Sequence, residues 1–144
     1  MEYIVDSKTL NECQEIDAKK VHLLPCNIQY SGPAEVDAYF IVKDCKEEKN
    51  DTDQKAYMSA FRGRGLKGVE SKKMDYTGYV LKKCPADNSN KEKYGDTLKN
   101  ILKAEKKFDS FMIWNHDDTP TLNNNTCLNS LAWLEVANEI NKQL

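Results

Sequence analysis

The sequence predicts an α+β fold dominated by β-strands, with a small barrel or curled sheet and a C-terminal helix. Several short apolar runs are separated by turns rich in Gly, Pro and Asn, which is typical of strands. Apolar and polar residues alternate from Ala56 to Arg62, and helical spacing follows after residue 96. The strands are few and short, so a barrel closed by this chain alone would be thin. We therefore expect another chain to donate strands to it.

The composition fits one globular domain with a modest core. The chain has 144 residues, of which 40% are hydrophobic and 31% are charged. The predicted division is a loose N-terminal arm over residues 1–20 and a single barrel-type domain over residues 21–144, with polar loops at 43–55 and 84–95. No apolar run is long enough to cross a membrane, and the N-terminal apolar run is too short for a signal peptide.

The first half of the chain is predicted to contain three strands. Residues 21–30 are strand-like, but Pro25 interrupts them because proline cannot donate a ladder hydrogen bond. A turn with Gly and Pro leads to the apolar run of Val36–Val42, which predicts a second strand. The third strand, Ala56–Arg62, follows a charged loop that should be exposed and mobile.

The second half predicts alternating strands and helices. The composition of the loop at 84–95 argues against a packed element there. After it, Asp96 or Thr97 could cap a helix with apolar residues at nearly helical spacing. The other predicted elements are a hairpin arm at Val69–Met74, strands at Thr77–Lys83 and Phe108–His116, that helix over residues 96–108, and a last helix capped by Ser130.

Charge is unevenly distributed, although the net charge is only −2. Residues 61–110 carry 13 Lys and Arg against 7 Asp and Glu, whereas both flanking segments are acidic. A basic segment indicates a face that meets something negative, such as nucleic acid or an acidic protein surface. For the lysines alone we favour the alternative, in which they lie on a loop and a helix face that contact only solvent.

The window Ala60–Gly68 combines three glycines with the cations Arg62, Arg64 and Lys67. Glycine serves where the backbone takes positive φ or where another group approaches closely. Arginine is suited to forked contacts with carboxylates or phosphates. Basic side chains at the end of a strand predict a docking surface, since the window has no nucleophile, base or metal ligand. The alternative is that these arginines pair with local carboxylates.

No catalytic constellation is evident elsewhere. His116 precedes two aspartates, but neighbours on a strand point to opposite faces, so a turn explains them better than a metal site. Cys26 lies near His22, yet burial in the core is the stronger interpretation. The five cysteines are odd in number and lack a Cys-x-x-Cys pair, which fits buried thiols in a reducing compartment.

One set of residues spans most of the chain: Leu24, Pro25, Gly32, Pro33, Phe61, Arg62, Gly63, Arg64, Gly68, Gly78, Tyr79, Phe111, Trp114 and Trp133. In its order and spacing this set resembles the C subunit of the eukaryotic type-2 ribonuclease H, a heterotrimer. The similarity spans roughly residues 21–140. Lys67 stands where the family often has arginine; lysine keeps the positive charge but lacks the forked guanidinium group.

The resemblance implies a subunit without catalytic residues, metal or cofactor of its own. Its strands would interweave with those of the B subunit in a shared triple β-barrel, and it would also touch the catalytic A subunit. The holoenzyme would act in the nucleus, in DNA replication and repair, on RNA–DNA hybrids and on ribonucleotides embedded in DNA. Catalytic Mg would belong to the A subunit. We expect Arg62, Arg64, Lys67 and Gly68 to contact that catalytic partner or nearby substrate.

Two other functions compete with this interpretation. One is a stand-alone nucleic-acid-binding barrel that uses the basic segment 61–107, whose affinity would fall steeply with salt. The other is a small enzyme that uses Cys26 or the pair Asp117 and Asp118, which we rank last.

Overall fold

The computed structural model of the chain describes residues 3–45, 55–71, 75–96 and 98–142. They form two compact units, Met1–Ala18 with Lys73–Ser110 and Lys19–Lys72 with Phe111–Leu144. Each unit contains one sheet of mixed strand direction. Among the described residues, no helix is long and apolar enough to cross a membrane. The α+β class, the dominance of strands and the C-terminal helix are confirmed.

The sheet of the first unit is built around its longest strand, β8. One edge of β8 pairs with β7 in antiparallel fashion, and the other edge pairs with the short parallel strands β1 and β2. Helix α1 connects these two short strands. The bounds are β1 (Ile4–Val5), α1 (Ser7–Glu12), β2 (Gln14–Glu15), β7 (Gly78–Pro85), α3 (Asn88–Tyr94) and β8 (Asn100–Phe108).

On the edge of β8 that pairs with β1 and β2, a side chain fills the gap between these two strands. Between β1 and β2, the backbone N–H of Ala104 donates to Thr9 Oγ1 at 2.9 Å. The hydroxyl of Thr9 also donates to the carbonyl of Asp6 at 2.7 Å. Helix α1 therefore replaces a missing strand with a hydroxyl acceptor, which satisfies a buried donor.

We expect Thr9→Val to destabilise the protein by about 1–3 kcal/mol, because it leaves the buried N–H of Ala104 unpaired. Thr77→Val makes the same chemical change at an exposed position and should cost less than about 0.5 kcal/mol. Denaturant unfolding of both variants measures the difference, and equal costs would contradict the role of Thr9.

Three predictions for this unit are wrong. Residues 100–108 form a strand instead of a helix, because hydrogen bonding on both edges of β8 overrides a spacing that imitates a helix. The loop at 84–95 contains the end of β7 and helix α3, since Asp87 caps that helix by accepting from Asn90 N at 2.8 Å. Residues 4–15 carry ordered elements instead of a loose arm, because β8 provides an edge for them.

The second unit contains a five-stranded sheet in the order β3-β9-β6-β5-β4. Only β3 and β9 pair in parallel. Its core is the cluster of Tyr57, Leu66, Met112 and Trp114. The bounds are β3 (His22–Leu23), α2 (Val36–Tyr39), β4 (Lys43–Asp44), β5 (Ala56–Phe61), β6 (Arg64–Glu70), β9 (Met112–His116) and α4 (Thr126–Lys142).

Of two predicted strands in this unit, one is shortened and one is wrong. The strand at 21–30 is reduced to the edge strand β3, which ends before Pro25 because proline removes the next donor. The run at Val36–Val42 contains the short helix α2. Buried and exposed side chains still alternate at the end of this run, since Phe40 and Val42 pack against the core whereas Tyr39 and Ile41 are exposed. The predicted mobile loop at 43–55 begins with β4, and its residues 46–54 lie outside the described residues.

Helix α4 is held to its unit by polar contacts. It begins four residues before the predicted cap Ser130, because Asn125 Oδ1 accepts from Leu128 N at 3.1 Å. Asn125 Nδ2 donates to Asn115 Oδ1 of β9 at 2.7 Å, and Asn115 Nδ2 donates to Asn124 Oδ1 at 2.9 Å. No residue of α4 is buried. The asparagine contacts therefore fix the start of the helix, while Leu128 and Leu131 are half-buried and Trp133, Leu134, Val136 and Ile140 stay exposed.

Candidate docking surface

The basic window forms a two-residue hairpin between β5 and β6. Phe61 pairs with Arg64, and the turn residues Arg62 and Gly63 have φ of 50° and 78°. Positive φ at both positions is what the type I′ hairpin turn requires. Arg62 adopts a conformation that disfavours side chains, and its guanidinium lies 5.1 Å from the centre of the Phe61 ring. The predicted glycine turn is thus present, with arginines at its tip.

The structure brings Arg62 and Arg64 together and separates them from Lys67. Both arginines are exposed, and neither side chain makes an ion pair with a described residue. Lys67 lies in mid-strand, between Met58 and Asn115, where it is half-buried. Alternation places Lys67 on the face of β6 opposite to Arg64. A partner that reaches the hairpin tip would therefore meet two guanidinium groups.

Gly68 lies in the core beneath Trp114 instead of at the surface. The two residues are register partners on β6 and β9, and a Cβ at Gly68 would lie 2.6 Å from Trp114 Cε3. Gly78 has the same relation to Phe108 in the first unit. Both glycines leave room for a ring. They support the fold around the surface and do not contribute side-chain contacts to it.

Trp114 is the centre of the packing behind the hairpin. It is 1% exposed, and its Nε1 donates to His22 Nδ1 at 3.1 Å. The Phe40 ring packs edge-on against it with centroids 5.2 Å apart. Burial lowers the pKa of His22 from its ordinary value, and Asp37 offsets part of this effect. His22 is thus a neutral acceptor that orients the indole, which gives it a structural role.

This contact predicts that stability depends on pH. Because the pKa of His22 is lower in the folded state, its contribution is fully present above its unfolded pKa of about 6.5. The contribution is lost as the pH falls from there through the folded pKa. Thermal unfolding between pH 5 and 8 should show this loss in the native protein. In His22→Asn, which retains an acceptor but does not titrate, this part of the pH dependence should disappear; an unchanged profile would contradict the assignment.

The remaining predicted motif residues lie in different surroundings. Leu24 and Phe61 pack against the core of the second unit, and Phe111 exchanges hydrogen bonds with Ser71. Around Gly32, the hydroxyl of Tyr30 donates to the carbonyl of Pro33 at 2.8 Å, which closes a turn. Trp133 on α4 is 66% exposed. The other positions are Pro25, which follows β3, Gly63 in the hairpin turn, and Tyr79, opposite Lys107 on β8.

The side chains suited to catalysis are dispersed or already engaged. Among the described residues, no group of three His, Cys, Asp or Glu side chains could hold a metal ion. The five cysteines are free thiols, but Cys26 is exposed and the other four are half-buried, so the predicted burial of Cys26 in the core is wrong. Asp118 N donates to the carbonyl of His116 at 2.7 Å, so His116–Asp118 forms a turn at the end of β9.

Sequence reasoning missed two structural features, one in each unit. The asparagine contacts that start α4 had a signal in Asn123–Asn125, which was interpreted only as a loop. The outer edge of β7 pairs with no described strand along its eight residues. That edge had no signal, because its neighbour β8 was predicted to be a helix.

The sequence matches the family described as the ribonuclease H2 non-catalytic subunit (Ylr154p-like) over residues 20–140. The chain belongs to this family. An uncharacterized protein of Schizosaccharomyces pombe is 27% identical over 133 residues, which cover 91% of this chain and 88% of that protein. The C subunit of ribonuclease H2 from Mus musculus is 38% identical over 63 residues, covering 43% of this chain and 34% of that protein.

Membership of the ribonuclease H2 non-catalytic subunits accounts for the type of surface found here. The matched range contains the hairpin with Arg62 and Arg64, the core around Trp114 and most of α4. A non-catalytic subunit acts by binding other chains. Its informative residues are therefore those that the fold places on exposed edges and faces.

Proposed function

We propose that the chain is the accessory C subunit of a heterotrimeric type-2 ribonuclease H. It assembles and positions a catalytic subunit that cleaves RNA in RNA–DNA hybrids and ribonucleotides embedded in DNA. Divalent-metal chemistry belongs to that catalytic subunit. The complex acts in the nucleus, in DNA replication and repair.

The observation that carries the proposal is the free edge of β7. On its outer edge, which pairs with no described strand, this eight-residue strand offers backbone N–H and C=O groups to any chain that can add a strand. Val80 and Leu81 on this strand are 38% and 42% exposed, so apolar side chains accompany the open backbone. A strand from another subunit would hydrogen-bond to the open backbone and cover the apolar side chains. A barrel shared between two subunits has this arrangement.

Exposed apolar residues on the rest of the chain support the same conclusion. Trp133 and Ile140 on α4 are 66% and 60% exposed, and Tyr39 in α2 is 82% exposed. Single exposed apolar residues are ordinary, but α4 has no fully buried residue, so much of its apolar surface is left for a partner to cover. We propose that the B subunit pairs with β7 and that the hairpin tip with Arg62 and Arg64 faces the catalytic subunit.

Co-expression with the two partner subunits tests the assembly. We expect one complex of defined mass on size-exclusion chromatography with light scattering, and no magnesium-dependent hybrid cleavage by this chain alone. Val80→Asp should weaken co-purification, because it places a charge beside the pairing edge. Leu122→Asp, at a loop residue that is 58% exposed, is the matched control. A monomer that melts cooperatively and ignores both subunits would overturn the proposal.

A further inference from the structure

Lysines are concentrated on the two long strands of the first unit. Strands β7 and β8 contain Lys82, Lys83, Lys103, Lys106 and Lys107, with Glu105 as their one acidic residue. Lys82 is the register partner of Lys103, and like charges placed opposite each other destabilise a sheet. The Lys82–Glu105 ion pair is long, at 3.9 Å, and its side chains are more than half exposed. Such an ion pair offsets little of the repulsion between Lys82 and Lys103.

A β-bulge collects three of these lysines on one face. The register shifts between Val80 and Leu81, so that Glu105 is the extra residue on β8. Without the shift, Lys103 and Lys106 would point to opposite faces, because they are three residues apart. With it, Lys103 and Lys106 follow their register partners Lys82 and Val80, which lie on one face of β7.

The spacing on this face is regular. Lys82 and Lys103 face each other across the ladder at about 5 Å between Cα atoms. Lys106 lies two ladder positions further along, at about 7 Å. Lys106 Nζ is held at its far end by Gln14 Oε1 at 3.3 Å. Besides Glu105, the carboxylate of Asp87 interacts electrostatically with Lys103. The rest of the face offers three positive groups in a row.

We propose that Lys82, Lys103 and Lys106 form a contact for the phosphate backbone of a nucleic-acid duplex. Each strand of a duplex carries about one phosphate per 3.4 Å of helix axis, so its backbone is a continuous row of negative charge that a row of cations can follow. A lipid surface fits less well, since membrane-binding faces combine cations with a broad apolar side that inserts. Nucleic acid is chosen because the chain belongs to a family of nuclease subunits, and this choice rests on the proposed function.

The test compares two triple variants in the assembled complex and in the full chain alone. Lys82→Gln with Lys103→Gln and Lys106→Gln removes the row. The control removes three exposed lysines elsewhere, Lys8, Lys20 and Lys43. Fluorescence anisotropy with a labelled 20-base-pair RNA–DNA hybrid, titrated at salt concentrations from about 50 to 300 mM, gives affinity and its salt dependence.

We expect the row variant to lose about tenfold in affinity at 100 mM salt and to flatten the slope of log affinity against log salt by about 2 to 3. The control should change affinity by less than about twofold. Equal effects in the two variants would overturn the proposal. So would loss of subunit assembly in the row variant, which assigns the lysines to a protein partner, or loss of binding to anionic vesicles with hybrid binding unchanged. If no complex forms with the unaltered chain, the proposed function fails, whereas the titration of the chain alone still decides the lysine contact.

Discussion

Trp114→Ala is expected to destabilise the protein by about 3–5 kcal/mol, the range for removing a fully buried aromatic side chain. The residue is 1% exposed and packs with Tyr57, Leu66 and Met112. Its loss also leaves His22 Nδ1 without the indole donor. Such a cost is comparable to the whole stability of many domains, so the variant should be largely unfolded at 37 °C. Circular dichroism with denaturant titration measures it.

The control for this prediction is Trp114→Phe. It retains a ring against Phe40 but removes the hydrogen bond to His22. It should cost clearly less than the alanine variant, and it should also weaken the pH dependence attributed to His22. If alanine and phenylalanine destabilised the protein equally, packing in the core would not be the main contribution of Trp114.

Gly68→Ala is expected to destabilise the protein by about 1–3 kcal/mol, although it adds only one methyl group. That methyl would lie 2.6 Å from Trp114 Cε3, and the indole cannot retreat while it is hydrogen-bonded and enclosed. Thermal unfolding of the purified protein is the measurement. Because the two residues touch, the effect should shrink when Gly68→Ala is combined with Trp114→Phe, which offers a smaller ring.

Gly65→Ala provides a matched control on the same strand. A Cβ at Gly65 meets nothing within 4 Å, and Gly65 does not have a positive φ. We expect this variant to change stability by less than about 0.5 kcal/mol. A comparable loss at both glycines would show that backbone freedom, and not the approach of the indole, explains the glycine at position 68.

The sequence predicted the central hairpin because its signals are local. Each signal lies within the element that it predicts. The alternation from Ala56 predicts β5, the pair Arg62-Gly63 predicts the turn into β6, and the apolar run around Trp114 predicts β9. Residues 98–108 were mispredicted because their apolar spacing fits both a helix and a strand with a bulge. What decides between helix and strand is the pairing of β8 with residues 4–15, which lie about 90 positions away in the sequence. No local pattern encodes such a distant contact.

The candidate site was predictable in its chemistry and not in its arrangement. The arginines at the hairpin tip could be predicted from residue types. The burial of Gly68, the separation of Lys67 from Arg64 and the row of lysines could not, since each depends on register. The hydrogen bonds of Asn115 with Asn124 and Asn125 were likewise not predictable, because these residues come into contact only once the sheet has formed.

The order of strands along the chain has a consequence for biosynthesis. Neither unit is a continuous segment, and each sheet receives an inner strand late, β8 at residues 100–108 and β9 at residues 112–116. On the ribosome, the short parallel strands near the N-terminus have nothing to bind until most of the polypeptide has emerged. The nascent chain therefore exposes unpaired edges for most of its translation, which makes it a client for chaperones or for a companion protein that arrives early.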